Sequence, residues 1–214
     1  MQNAERFIRL YHLLPPFVKA GIVTETRRWR KQEILCILHI TYSLSFAFIP
    51  SSWYILLTMK LLLLADSHGC WETIYKIALR EKPDAILHAG DGQGAFETLA
   101  LLLADELPCC ELYNVRGNCD RDDRGTPTNL LVELGGLRIY LIHGHLFPEL
   151  RFGVLGNAVA FAKKQRVDLL VYGHSHMQRD AVADGLRTVN PGAAYRDRYA
   201  VVVVGDGELE IRLM

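Results

Sequence analysis

Five times in this chain an apolar run ends in residues able to bind a metal ion. Asp66-Ser67-His68 follows Leu61 to Ala65, Gly90-Asp91 follows Ala85 to Ala89, and Gly117-Asn118 follows Leu112 to Val115. His143 follows Leu137 to Ile142, and Gly173-His174-Ser175-His176 follows Asp168 to Tyr172. Residues at i and i+2 where a strand ends project to one side of the sheet. Asp66 with His68, and His174 with His176, are each expected to face one point. Taken singly, every motif has a bland explanation. Asp-x-His is often incidental, Gly-Asp is a common turn, Gly117-Asn118 suits a positive φ, and His143 could be a satisfied core histidine. Taken together, all five sit at the carboxyl ends of strands, where α/β sheets build their sites.

The donors are carboxylate, imidazole and amide, with no paired cysteines. Such sets suit Mn²⁺, Fe²⁺, Zn²⁺ or Ni²⁺ rather than a thiolate-rich structural zinc site. Asp66, His68, Asp91, Asn118, His143, His174 and His176 are too many for one ion and suit two. Two ions roughly 3.5–4 Å apart can clamp the oxygens of a phosphoryl group. Asp91 stands alone on its loop and is the natural bridge between them.

The elements that must position these residues read as follows. Strand Met59 to Ala65 leads to a helix over Trp71 to Arg80, and strand Asp84 to Ala89 to a helix over about Gly94 to Glu106. Pro108 ends that helix before strand Cys109 to Val115. The order β-α-β-α-β implies parallel pairing with right-handed crossovers, and near-continuous aliphatic strands imply a sheet covered on both faces. Thr128 to Leu134 and Leu137 to Ile142 flank Gly135-Gly136, a hairpin signal. A helix over Gly156 to Arg166 precedes strand Asp168 to Tyr172. Leu186 to Asn190, Tyr199 to Gly205 and Glu208 to Leu213 complete a strand-rich second half. The pattern predicts an α/β protein, a four-layer α/β/β/α sandwich of two mixed sheets. His88 is expected in the core, Leu99 to Leu103 on a buried helix face, and Cys109-Cys110 as reduced strand residues. Arg121-Asp122-Asp123-Arg124 is expected to be a solvated, self-paired loop.

The chain has 214 residues, half of them hydrophobic, and a formal net charge of zero. Nothing in it marks a basic nucleic-acid-binding face. Its five cysteines are odd in number and irregularly spaced, which argues against a disulfide framework and for a reducing, cytoplasmic compartment. Residues 1 to 58 differ from the rest. They hold seven Lys/Arg against three Asp/Glu, and Arg27-Arg28-Trp29-Arg30-Lys31 precedes a stretch, Ile34 to Thr58, without a charged residue. That is the pattern of a signal anchor. Pro50, however, leaves only 16 residues from Ile34 to Ile49, short of the roughly 20 that span a bilayer. The preferred expectation is that the domain begins at Met59 and that residues 1 to 58 are an over-extended start. A membrane anchor is the second reading.

Asp66-x-His68, Gly90-Asp91, Gly117-Asn118-x-Asp120, His143 and Gly173-His174-x-His176 together resemble the signature of calcineurin-like metallophosphoesterases, in that family's order. Gly117-Asn118-Cys119-Asp120, His143-Gly144-His145 and Asn190-Pro191-Gly192 look like its small bacterial and archaeal branch, the YfcE-like phosphodiesterases. The resemblance covers residues 59 to 214 and none of 1 to 58. It implies two divalent ions, Mn²⁺ foremost, with Asp66, His68 and His176 on the first, Asn118, His143 and His174 on the second, and Asp91 bridging. Asn118 and His145 would touch substrate phosphate oxygens. A metal-bridging hydroxide would attack phosphorus in line with the leaving alkoxide, with no covalent enzyme intermediate. The expected partner is a small-molecule phosphate ester; a homo-oligomer stays open.

One position departs from the family. The superfamily usually carries a histidine that assists the leaving group and an acidic residue that orients it; here Cys119 and Asp120 stand in those catalytic places. A thiol is poorly matched to a histidine's neutral-pH role, and Asp120 is left to bind backbone or Arg116. Slow turnover on diesters with poor leaving groups is the consequence. Cys119 as a small filler beside the metals is the competing reading. Two other functions compete. One is a scaffold or binding module resembling the retromer subunit on this fold; the other is a membrane-bound hydrolase of a lipid-linked phosphate, which needs residues 1 to 58 to be genuine.

Overall fold

The computed structural model describes residues 58–121, 125–152, 154–205 and 208–214. The expectations for residues 1 to 58, Thr58 apart, and for Asp122 to Arg124 fall outside these. Among the described residues no helix is long and apolar enough to cross a membrane.

In chain order the elements begin β1 (Met59–Leu64), α1 (Trp71–Glu81), β2 (Ala85–His88), α2 (Gln93–Glu106) and β3 (Glu111–Asn114). The hairpin β4 (Asn129–Leu134) and β5 (Leu137–Ile142) follows, then a 3-10 turn (Pro148–Phe152), α3 (Gly156–Lys164) and β6 (Leu169–Val171). The chain closes with β7 (Arg179–Ala183), β8 (Leu186–Asn190), a 3-10 turn (Ala194–Arg196), β9 (Ala200–Gly205) and β10 (Glu208–Leu213).

Two five-stranded sheets result, ordered β10-β9-β1-β2-β3 and β4-β5-β6-β8-β7. In the first, β1, β2 and β3 run parallel and β9 pairs antiparallel with β1. In the second, β5, β6 and β8 run parallel between antiparallel edges. Both sheets are therefore mixed. Side chains alternate along each strand, and β1 shows what this does: Leu61 and Leu63 face the other sheet, while Leu62 and Leu64 face the helices. The inter-sheet core joins Leu61, Leu63, Leu87, Ile139, Leu141, Val171 and Val202, all fully buried. α1 and α2 cover the outer face of the first sheet, and α3 covers that of the second. The layers run α/β/β/α.

Three differences from the sequence reading have physical causes. β7 was not expected: it is a short, half-exposed edge strand bearing Arg179 and Asp180, without a continuous apolar run. Within Leu99 to Leu103 only Leu99 and Leu103 are buried, being one helical turn apart, while Leu101 is 80% exposed. Cys109 and Cys110 precede β3 in the turn made by Pro108, so neither belongs to the strand.

Candidate metal centre

The loops that leave β1, β2, β3, β5 and β6 converge where the two sheets meet. Their backbones are stitched together. Asp66 N donates to Gly90 O (2.9 Å), His68 N to Asp91 O (2.9 Å) and Gly173 N to His143 O (3.0 Å). The sheets are joined directly by His143 Nδ1, which donates to Ala89 O at 2.7 Å, and by His174 N, which donates to Asp66 Oδ2 at 3.1 Å. Such close approach leaves no room for side chains between the loops. A Cβ on Gly173 would stand 2.9 Å from that of Ala65 and 3.0 Å from Asp66 Oδ2, and one on Gly117 would enter the Asp91 carboxylate.

Asp66, His68, Asp91, His174 and His176 have φ of 51°, 43°, 57°, 67° and 59°. This left-handed region is uncommon for non-glycine residues, though Asp and His enter it more readily than most. β6 ends at Val171, before His174 and His176. These histidines therefore turn inward through left-handed residues at alternate positions, not through strand alternation. The same holds for Asp66 and His68 beyond β1.

Asp66 is fully buried. His176 Nε2 lies 3.3 Å from its Oδ1 and 3.4 Å from His68 Nε2. Asp91 and His143, also buried, bring Oδ2 and Nε2 to 3.4 Å, and Asn118 Oδ1 is 3.1 Å from the same nitrogen. The His174 ring packs edge-on to that of His143, centroids 5.1 Å apart, and the His145 ring stands 5.4 Å from His143 on another side. Ligand atoms of Asp66, His68 and His176 all lie within 4.8 Å of one another, as do those of Asp66, Asp91 and His143, and those of His68, Asp91 and Cys119.

The electrostatics of the site call for a cation. Burial pushes the Asp66 carboxyl up to about 7; the nearby Asp91 charge adds to this and His143 opposes it. Burial acts to raise Asp91 as well, but the His143 hydrogen bond and charge and the Cys119 amide hold it well below the usual carboxylate range. Burial acts to lower His143, yet Asp91 and Asp66 leave it raised. One imidazole thus serves two buried carboxylates. Asp66 Oδ1 is buried and accepts no hydrogen bond, a costly condition for a polar atom and one that a bound cation would relieve. His143, donating through Nδ1 to Ala89 O, turns Nε2 toward Asp91 and Asn118, the orientation typical of metal-bound histidines. Burial first, then neighbouring positive groups, lowers His145 and His176, so both rings stay neutral and able to ligate at neutral pH. The residues present fit divalent ions.

Further residues brace the candidate ligands, and Asp120 binds backbone. Asp120 accepts the amides of Asp91 (2.8 Å), Gly92 (2.9 Å), Gln93 (2.9 Å) and Gly117 (2.8 Å). Cys119 N donates to Asp91 Oδ1 at 2.8 Å. Asn190 donates to Gly173 O and Ser175 Oγ and accepts the Gly192 amide, bracing the loop of His174 and His176. Tyr195 places its hydroxyl 3.4 Å from His176 Nδ1. His88 is a core residue, as expected. Its Nδ1 donates to Asn114 Oδ1 (2.9 Å), which leaves Nε2 to accept from Ser67 Oγ (3.0 Å), and burial lowers it to about 4. A cleft of about 400 Å³ opens between Trp71 and the first turn of α2, floored by His68, Asp91 and Cys119.

Residues 59–206 match the calcineurin-like phosphoesterase superfamily domain. The chain belongs to the calcineurin-like phosphoesterase superfamily. It is 29% identical over 168 residues to the probable metallophosphoesterase YsnB of Bacillus subtilis, covering 72% of this chain and 89% of that one. A predicted phosphoesterase from Streptococcus pneumoniae shares the fold with a TM-score of 0.59 and 24% identity, over 73% of this chain and 89% of that structure. Vacuolar Protein Sorting 29 from Cryptosporidium parvum shares it with a TM-score of 0.54 and 19% identity, over 73% and 97%. These two likenesses lie in the fold.

Proposed function

We propose that the chain is a metal-dependent phosphoric ester hydrolase, a phosphodiesterase working with two divalent ions. The observation that carries this is the convergence of two ligand groups, Asp66–His68–His176 and Asp66–Asp91–His143, on a fully buried Asp66 whose Oδ1 accepts no hydrogen bond. Asp66, His68 and His176 would hold one ion, Asn118, His143 and His174 the other, with Asp91 between them. Bound divalent ions would acidify a water for attack on phosphorus and neutralise charge on the phosphoryl oxygens; Mn²⁺ is the first candidate, with Ni²⁺, Fe²⁺ and Zn²⁺ behind it.

The rest of the work falls to the chain. Asp120 fixes the Asp91 loop through backbone amides, and Ala89 O fixes the tautomer of His143. Asn118 and His145 stand beside His143 at the rim, where a phosphate oxygen would lie. The Cys119 thiol, pushed up to about 11 by burial and then by Asp91, is a weak acid. Proton delivery to a poor leaving group is therefore the missing half of the mechanism, and activated diesters are the better substrates. The cleft beside Trp71 suits a small ester. Cytoplasmic placement belongs to the same proposal, since the four described cysteines are free thiols.

A binding module is the second reading, favoured by the fold shared with Vacuolar Protein Sorting 29. The ligand-competent residues at all the positions above weigh against it. The test is hydrolysis of an aryl phosphodiester by dialysed protein with excess Mn²⁺, Ni²⁺ or Zn²⁺, alongside Asp91→Asn and His143→Ala. Turnover reduced at least a hundredfold in both variants supports the hydrolase. No turnover by wild-type protein with any of these ions supports the binding module.

A further inference from the structure

We propose that Cys119 is a metal ligand, its thiolate joining His68 and Asp91 on the open side of the ion position outlined by Asp66, His68 and His176. The inference rests on the two-ion reading above and adds a sulfur to a donor set otherwise built of nitrogen and oxygen.

Three donors converge beside the open cleft. Cys119 Sγ, a His68 ring nitrogen and an Asp91 carboxylate oxygen lie within 4.8 Å of one another, close enough for one cation with metal–sulfur and metal–nitrogen bonds of about 2.3 and 2.0–2.1 Å. The backbone aims the thiol there, because Cys119 N is tied to Asp91 Oδ1 at 2.8 Å. Asn118 Nδ2 donates to Cys119 Sγ at 3.2 Å, a contact that favours the anionic sulfur a ligand must present. Independently, the buried Asp66 Oδ1 is without a hydrogen bond beside His176 and His68, marking the cation position that Cys119 would complete.

A divalent cation beside His68 and Asp91 would favour the deprotonated form of a coordinating thiol. A sulfur donor then shifts preference from Mn²⁺ toward softer ions, Zn²⁺, Fe²⁺ or Co²⁺.

The experiment loads the full chain with Co²⁺ or Cd²⁺ and records thiolate-to-metal charge-transfer absorption, with bound ions counted by elemental analysis. The expected result is a charge-transfer band in wild-type protein and in Cys70→Ser that is lost in Cys119→Ser and Cys119→Ala. Circular dichroism of both Cys119 variants guards against misfolding. Zn²⁺ affinity should fall at least tenfold in Cys119→Ser while Mn²⁺ affinity changes less than threefold. Saturating Zn²⁺ should slow alkylation of Cys119 by iodoacetamide at least tenfold. Ions bound without a band, or a band that survives Cys119→Ser, would overturn the ligand role and leave the two-ion reading standing. No ion bound by wild-type protein would overturn both.

Discussion

Asp120 Oδ2 accepts the backbone amide of Asp91 at 2.8 Å, so a carboxylate beyond β3 holds in place a residue beyond β2 whose own carboxylate belongs to two of the candidate ligand groups. Three further amides, of Gly92, Gln93 and Gly117, close the same clamp. The Gly92 and Gln93 amides open α2, so Asp120 also supplies negative charge to the amino end of that helix. Its action on chemistry runs through Asp91.

Asp120→Asn puts an amide nitrogen where a backbone donor now finds an acceptor. Stability should fall by about 1–3 kcal/mol. Affinity for Mn²⁺ should fall by about 10–100-fold, the range for lost partners of metal ligands. Calorimetric titration of the dialysed variant reads the second effect; a lowered denaturation midpoint with unchanged Mn²⁺ affinity would reduce Asp120 to a structural role.

Cys119→His places an imidazole, a stronger general acid near neutral pH, where the weaker acid of the Cys119 thiol stands. Turnover of an alkyl phosphodiester should rise about tenfold or more, a fraction of the 10²–10⁴ that general acid catalysis supplies. An aryl diester, whose leaving group needs little help, should gain far less. Equal gains on both, or none on the alkyl ester, would count against a missing proton donor.

Two buried groups give the metal-free protein opposing responses to pH. Asp66, raised from 3.8 to about 7, contributes stability that is full below about pH 4 and lost as pH rises through about 7. His88, lowered from 6.5 to about 4, contributes stability that is present above about pH 6.5 and lost as pH falls through about 4. Between these limits the Asp66 and His88 contributions oppose each other. Asp66→Asn should expose the His88 response, a loss of up to about 3 kcal/mol on acidification. Urea midpoints of Asp66→Asn and of Asp66→Asn with His88→Gln, taken at about pH 4.5 and 6.5, isolate it. Identical pH responses in the two variants would contradict a neutral, buried His88.

Much of the molecule could be read from residue order. Aliphatic runs broken by Gly, Pro and Asp marked β1, β2, β5 and β6, and Gly135-Gly136 marked the β4–β5 hairpin, because burial on both faces and tight turns each demand particular residue types. β7 escaped because an edge strand can be short and charged. The candidate ligands were legible as residue types at strand ends. The means by which they converge was not, since five left-handed residues at Asp66, His68, Asp91, His174 and His176 leave no mark in composition. Asp120 was adjacent to the motif yet its partners Asp91, Gly92 and Gln93 come from another loop, met only because β2 and β3 pair as parallel neighbours. Tyr195 reaches His176 through the turn after Asn190-Pro191-Gly192, a contact no local pattern announces.

The most direct test of the two-ion account is a titration of metal-free protein with Mn²⁺, reading aryl phosphodiester hydrolysis and bound ions per chain in the same samples. Hydrolysis should appear as the second ion binds and level off at two ions per chain. Full hydrolysis with one ion bound, or two ions bound without hydrolysis, would contradict it.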